Sequence, residues 1–150
     1  MSTKTFSFEV NRTSSAEAAT LFKLVSDGAN WSEWAKPVVP SSEWVTQGEP
    51  APGGVGAIRK LGVGRLGIKE QTTAYEQDRL HAYELLTPGP VRNYRAEVRL
   101  TPRAEGGTDI RWSGKFDERI PGTGKIAQRA LSGVITQLIT KLIKAAERTS

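Results

Sequence analysis

The sequence contains no cysteine and only one histidine, His81, among its 150 residues. Without cysteine the chain forms no disulfide and offers no thiolate to a metal, and a single histidine excludes centres that need a histidine pair. No Ser-His-Asp arrangement is indicated either. We therefore expect no metal site and no cofactor. The absence of cysteine fits a reducing compartment.

Long apolar runs are also missing. The first eight residues contain none, so we expect no signal peptide. The most apolar segment lies near the C-terminus and is interrupted by Lys141, Lys144 and Arg148, so no stretch is suited to span a bilayer. These features predict a cytoplasmic protein with no stable membrane insertion.

The charge is moderately positive, +5 from 21 basic and 16 acidic residues. Basic and acidic residues alternate, and no run of one sign is long enough to form a tail. We interpret the charge as a means of solubility. Binding to nucleic acid or to a membrane surface ranks last among the functions considered, and we expect no nucleic-acid partner.

What the sequence does contain is alternation of apolar and polar residues, which predicts strands. Strands are expected over 5–11, 55–61, 68–77 and 80–87, and the two clearest cover the region from 93 to 116. The residues predicted to face inward on these last two are Tyr94, Ala96, Val98, Leu100, Ile110, Trp112, Gly114 and Phe116. One dry and one wet face is typical of an antiparallel sheet, here a meander of six to seven strands.

Helices are expected at both ends of this meander. Ser14 or Ser15 is predicted to cap a first short helix, and a second short helical turn carries Trp31 and Trp34. A long amphipathic helix is predicted at the C-terminus, and Gly133 interrupts it. Its apolar residues recur at steps of three and four and comprise Ile126, Ala130, Leu131, Val134, Ile135, Leu138, Ile139, Leu142 and Ile143.

These elements predict one α+β domain over residues 1–150. A curved antiparallel sheet would wrap around the long helix, because the concave sheet face is the large apolar surface available to the helix stripe. The space left between sheet and helix would form a ligand pocket.

At this point the sequence resembles the START-like superfamily with the helix-grip fold, and within it the polyketide cyclase/dehydrase-like branch of small bacterial proteins. The resemblance covers nearly the whole chain. It is carried by the order and spacing of segments 14–22, 31–34, 54–59, 79–83, 94–100 and 110–112, together with Glu70. It implies the helix-grip fold and leaves the function open, because binders, carriers and cyclases share it.

Residues 62–67 match the pattern GxGxxG of dinucleotide-binding loops. That motif requires a helix directly after it, so that the phosphates meet a helix N-terminus. The residues that follow are strand-like. We therefore predict a hairpin tip and no bound dinucleotide.

Arg59 and Glu70 lie on the two strands of this hairpin, where a turn near 62–67 would pair them. A buried carboxylate needs a partner, and Arg59 is the candidate. Such a pair could orient a carbonyl or hydroxyl of a ligand, and Glu70, Arg59 and Tyr83 are the candidate catalytic residues. The alternative is a surface or purely structural ion pair.

Aromatic side chains with a polar atom suit semi-polar ligands. The candidate ligand-binding residues are Trp31, Trp34, Arg59, Glu70, Tyr83, Tyr94, Trp112, Leu131, Ile135 and Leu138. Trp31 and Trp34 are expected to form a lid over the pocket mouth. The alternative for the aromatic residues is plain core packing, and His81 is either a general base or, more simply, a strand histidine with a local hydrogen bond.

Two functions follow from these features. The first is binding or carriage of a small hydrophobic ligand, such as a lipid, a polyketide or an aromatic metabolite, because a dry pocket is predicted without a catalytic constellation. The alternative is a polyketide aromatase/cyclase or dehydratase that uses the same cavity to position a flexible chain.

Overall fold

The computed structural model describes residues 4–62 and 67–149. Within these residues the chain forms seven strands, three α-helices and one 3-10 turn. In chain order the elements are β1 (Thr5–Ser14), α1 (Ala18–Ser26), the 3-10 turn (Gly28–Asn30), α2 (Trp31–Trp34), β2 (Ser42–Thr46), β3 (Ile58–Leu61), β4 (Ile68–Glu76), β5 (Leu80–Leu85), β6 (Val91–Pro102), β7 (Thr108–Glu118) and α3 (Gly124–Arg148).

The strands form a single antiparallel sheet in the order β1-β7-β6-β5-β4-β3-β2. Strands β2 to β7 follow one another as a meander, and β1 returns to pair with β7. This arrangement confirms the predicted α+β helix-grip fold and sets the number of strands at seven.

The alternation on β6 and β7 sets the two faces of the sheet. Val98 pairs with Trp112 and both side chains are buried, whereas the next pair, Arg99 and Arg111, is exposed. Because side chains alternate along a strand, this register turns every second residue of both strands toward the helix. The predicted inward faces of these two strands are confirmed.

Helix α3 packs its C-terminal half against the core and leaves its N-terminal half more open. Ile139 and Leu142 are completely buried, whereas Ile126 and Val134 are 72% and 42% exposed. The apolar stripe is therefore not buried along its full length. A Cβ added at Gly133 would meet no atom within 4 Å, so this glycine does not serve a close approach in the described structure.

The start of α1 differs from the prediction. Strand β1 runs on to Ser14, and α1 begins at Ala18 without a side-chain cap. The Ser14 hydroxyl is used elsewhere, since it accepts from the Ala16 backbone N–H and donates to Glu147 near the end of α3. Ser14 therefore ties β1 to α3 and does not cap α1.

None of the helices described here combines the length and the hydrophobicity that crossing a membrane would require.

Candidate functional site

A cavity of about 650 Å³ lies between the sheet and the N-terminal half of α3. Its walls come from α2 and the loop after it, from β3 to β6 and from one face of α3. The side chains and backbone that line it belong to Trp31, Val38, Val39, Pro40, Leu61, Gly62, Ile68, Glu70, Tyr83, Leu85, Pro90, Val91, Tyr94, Ala127, Ala130, Leu131, Val134, Ile135 and Leu138. The volume is within the range of small-molecule sites.

The cavity lining is mostly apolar and includes three buried polar side chains. Ile68 and Val134 are 37% and 42% exposed, and both mark the open side. Three buried residues contribute the ionisable side chains of the lining, and they are Glu70, Tyr83 and Tyr94. The three polar groups therefore lie deeper than the exposed residues of the rim.

Arg59 and Glu70 are directly opposite in the pairing of β3 with β4, as the position of the hairpin suggested. Both side chains point inward and are buried. Arg59 Nη2 and Nε donate to the same carboxylate oxygen, Glu70 Oε1, at 2.8 and 3.2 Å. The surface alternative for this pair is therefore wrong, while a role in orienting a ligand stays a prediction.

Arg59 is enclosed on every described side. Its guanidinium carbon lies 3.9 Å from the centre of the Trp31 ring and 4.8 Å from that of Tyr83, and Nη1 donates to the Val25 carbonyl oxygen at 3.4 Å. Gly28 makes room for the arginine stem, because a Cβ at this position would lie 2.5 Å from Arg59 Cδ. Arg59 is not among the cavity-lining residues, so it stands behind Glu70 and the two rings.

Burial dominates the ionisation of the polar groups in the cavity. It raises the pKa of Glu70, and the charge and hydrogen bonds of Arg59 act in the opposite direction. Burial also raises the pKa of both Tyr83 and Tyr94 well above its usual range, so their hydroxyls remain protonated at neutral pH. The cavity therefore offers one carboxyl group and two phenol hydroxyls.

Trp112 supports this site from behind. Its side chain is completely buried, and Nε1 donates to the Tyr83 hydroxyl oxygen at 3.1 Å. Since the Tyr83 oxygen accepts this bond, its own proton is left for another acceptor. Trp112 packs edge-on against Trp31, with ring centres 5.8 Å apart, and does not line the cavity.

The expectation of a tryptophan lid is wrong. Trp31 is 1% exposed and forms part of the cavity wall, held by a hydrogen bond from Nε1 to the Val25 carbonyl oxygen at 2.9 Å. Trp34 lies at the other end of the same one-turn helix and lines a separate cavity of about 190 Å³ beside Leu24 and Arg148. The two rings are 5.0 Å apart, so they pack together but face different spaces.

On α3 the three predicted residues, Leu131, Ile135 and Leu138, all line the cavity. The sequence reasoning missed the segment 38–40, which forms one wall. The sequence feature that could have indicated this wall is a pair of apolar residues between two prolines. It lies in a loop, and loop residues usually face solvent. It also missed the rim residues Ile68 and Val134.

His81 lies next to this group, with its ring centre 6.1 Å from that of Tyr83, but it does not line the cavity. Its Nε2 is 3.3 Å from the Thr72 hydroxyl oxygen on the neighbouring strand β4. This contact agrees with the simpler prediction of a strand histidine with a local hydrogen bond.

The hairpin tip at 62–67 falls largely outside the described residues, since 63–66 are not covered. The chain continues after Gly67 directly into strand β4, which pairs with β3. A helix does not follow the GxGxxG pattern, so the context of a dinucleotide-binding loop is absent from the described part of this hairpin.

Comparison with known proteins shows the same architecture in several solved structures. Norcoclaurine synthase from Thalictrum flavum, solved with a transition-state analogue, is 18% identical, with 100% of this chain and 99% of that chain covered and a TM-score of 0.78. A protein from Nitrosospira multiformis is 18% identical over 94% of this chain and 96% of its own, with a TM-score of 0.74. Ara h 8.0201 is 18% identical over 94% and 99%, with a TM-score of 0.68.

At these identities the similarity shows the fold alone. No curated protein matches the sequence. Residues 5–147 match the family described as polyketide cyclase / dehydrase and lipid transport, which is nearly the whole chain. The chain therefore belongs to the polyketide cyclase / dehydrase and lipid transport family.

Proposed function

We propose that this protein binds or carries a small, largely apolar ligand, such as a lipid, a polyketide or an aromatic metabolite, in the cavity between the sheet and α3. The observation that carries the proposal is the cavity of about 650 Å³ with a mostly apolar lining and three buried polar groups, Glu70, Tyr83 and Tyr94. Burying the apolar body of a ligand there would supply the affinity, at roughly 25 cal/mol per Å². The three polar groups would supply its orientation.

The polar groups suit binding better than a demanding reaction. Glu70 is held by Arg59, and Tyr83 by Trp112, so both are fixed in position before a ligand arrives. Fixed polar groups reduce the entropy lost on binding. The family to which the chain belongs includes lipid transport in its description, which supports this proposal.

Large side chains on α3 that fill the cavity should weaken ligand binding without unfolding the protein. Ala127 and Ala130 line the cavity, and Ala130 is exposed at its open side. The double variant Ala127→Phe/Ala130→Phe should lower the affinity for an apolar fluorescent probe such as 1-methylpyrene at least tenfold, because its rings would occupy the probe's space. Fluorescence titration measures the affinity, and thermal unfolding checks the fold.

The matched control is Gln137→Phe/Thr140→Phe. It places two phenylalanines with the same spacing on the same helix, at exposed positions that do not line the cavity. It should bind the probe like the wild type. Equal loss in both double variants, or no loss in either, would mean that the probe binds elsewhere.

A second candidate function is catalysis of cyclisation or dehydration on a polyketide-like substrate. It is favoured by Glu70, a carboxyl group in the cavity wall whose pKa is raised by burial, which is the usual state of a general acid or base. Tyr83 and Tyr94 would hydrogen-bond to a substrate carbonyl, and Arg59 would keep the carboxyl group in place.

Turnover of a synthetic poly-β-ketone thioester tests this candidate. If Glu70 transfers a proton in the reaction, Glu70→Gln should lower kcat by a factor of about 10² to 10⁴ with a smaller change in KM. Product formation at the rate of the uncatalysed thioester in the presence of wild-type protein, combined with tight probe binding, would leave binding as the function.

A further inference from the structure

The charged groups in and near the cavity are of one kind on the wall and of the other kind behind it. Of the lining residues in 4–62 and 67–149, none is lysine, arginine or histidine, whereas one is glutamate. The buried cation nearest to the cavity is Arg59, and it does not line the wall. The one charged group that the described lining offers to a ligand is therefore a carboxylate, and no described cation is within its reach.

Arg59 is not available to a ligand anion. Three of its nitrogens are hydrogen-bonded, two to Glu70 Oε1 and one to the Val25 carbonyl oxygen. The rings of Trp31 and Tyr83, which are themselves part of the cavity wall, flank the guanidinium at 3.9 and 4.8 Å. A ligand carboxylate would have to displace Glu70 or one of these rings to reach it.

Glu70, by contrast, has an acceptor to offer. Both hydrogen bonds from Arg59 fall on Oε1, so Arg59 leaves Oε2 to another donor. An ionised carboxylate only accepts hydrogen bonds, and each of its oxygens can take more than one. A donor on the ligand is thus the group that this part of the wall fits.

The net charge decides between a neutral donor and a cationic one. The charge of Glu70 is already balanced by Arg59 at 2.8 Å, so an added ammonium group would meet a neutral pair. It would lose its hydration in an apolar cavity without full compensation. A hydroxyl loses far less on burial and gains a hydrogen bond to a charged acceptor.

From this arrangement we propose that the ligand carries a neutral hydroxyl group, as an apolar alcohol or phenol, which donates to Glu70 Oε2, and that carboxylate and ammonium ligands are excluded. The inference rests on the proposed function of the cavity as a ligand site. It defines the class of ligand by the polar group that contacts Glu70.

Four pyrene probes of similar size test the inference on the wild-type protein at pH 7. They are 1-methylpyrene, 1-pyrenemethanol, 1-pyrenecarboxylate and 1-pyrenemethylammonium. Pyrenemethanol should bind about tenfold more tightly than methylpyrene, as expected for one hydrogen bond to a charged group, and the two charged probes should bind more weakly than either. Tightest binding of the carboxylate or of the ammonium probe would overturn the inference.

Removing the ion pair should reverse the preference between the neutral probes. In the variant Arg59→Leu/Glu70→Leu the hydroxyl of pyrenemethanol has no charged acceptor, so methylpyrene should bind more tightly than pyrenemethanol. An unchanged ratio would show that Glu70 does not receive the hydroxyl. Lys115 is exposed on β7 and does not line the cavity, so Lys115→Gln serves as a control and should leave the ranking unchanged.

The outcome separates the two proposals. If none of the four probes binds, the proposed function fails. If methylpyrene binds and is blocked by Ala127→Phe/Ala130→Phe, but pyrenemethanol has no advantage over it, the cavity is a ligand site and the inference about the hydroxyl group is wrong.

Discussion

Replacing Arg59 with leucine should lower the free energy of unfolding by about 3–5 kcal/mol at pH 7. The substitution leaves Glu70 buried without the guanidinium that donates two hydrogen bonds to it. It also removes the cation between the rings of Trp31 and Tyr83 and the bond to the end of α1. Urea denaturation followed by tryptophan fluorescence measures the change.

The double variant Arg59→Leu/Glu70→Leu should recover most of this loss. Replacing both members of a buried ion pair with apolar residues is often neutral or even stabilising, because neither charge then has to be desolvated. Comparing the two variants separates the destabilisation caused by the unpaired carboxylate from that caused by the lost packing of the arginine stem. If the double variant is as unstable as Arg59→Leu, the loss of stability comes from the missing packing of the arginine side chain. The unpaired carboxylate of Glu70 is then not its cause.

The pH dependence of the single variant gives an independent check. Burial raises the pKa of Glu70, and the loss of Arg59 raises it further. The folded state then takes up a proton at a higher pH than the unfolded state, so stability rises as the pH falls through the folded pKa. The difference between single and double variants should therefore be smaller at pH 5 than at pH 7.

The sequence predicted that Arg59 and Glu70 face each other, because strand geometry leaves little freedom, but it left open whether the pair is buried or lies on the surface. A turn near 62–67 sets the register of β3 and β4, and the register sets which residues face each other. The same logic placed Tyr94 and Trp112 on the inner face. Alternation predicts a face, however, and does not predict whether a buried side chain reaches the cavity, so Trp112 turned out to lie behind Tyr83.

Positions outside regular strands were harder to predict. Trp31 and Trp34 are three residues apart on one helical turn, yet they line two different cavities. Helix α2 is only four residues long and lies between these two cavities. The wall formed by 38–40 depends on where a proline-rich loop folds back, which no periodicity encodes. Helical spacing identified three of the six described lining residues of α3 but not which half of the helix is open.

The second large effect is the pH dependence of stability that His81 causes. This histidine is 1% exposed and lies between the core and the cavity. Its Nε2 contacts the Thr72 hydroxyl, whereas Nδ1 has no hydrogen-bond partner among the described residues. Burial, assisted by the positive charge of Arg59, lowers the pKa of His81 from 6.5 to about 3. The folded protein therefore keeps this ring neutral at pH values where the unfolded chain protonates it.

The sign of the effect follows from proton binding. Between about pH 6.5 and pH 3 the unfolded state holds one more proton at this residue than the folded state, so stability falls as the pH is lowered through this interval. The loss approaches about 1.4 kcal/mol for each pH unit and about 3 kcal/mol between pH 7 and pH 4. The contribution is small above pH 7 and vanishes as the unfolded chain loses its proton.

The variant His81→Gln should remove this contribution, because an amide can bond to Thr72 and does not titrate. Urea denaturation of both proteins from pH 7 to pH 4 should show the wild type losing about 3 kcal/mol relative to the variant. Glu70 and the surface carboxylates titrate in both proteins, so their effects cancel in the difference. Parallel stability curves would show that the folded protein protonates His81 as readily as the unfolded chain does, with a partner for Nδ1 that stabilises the charged ring.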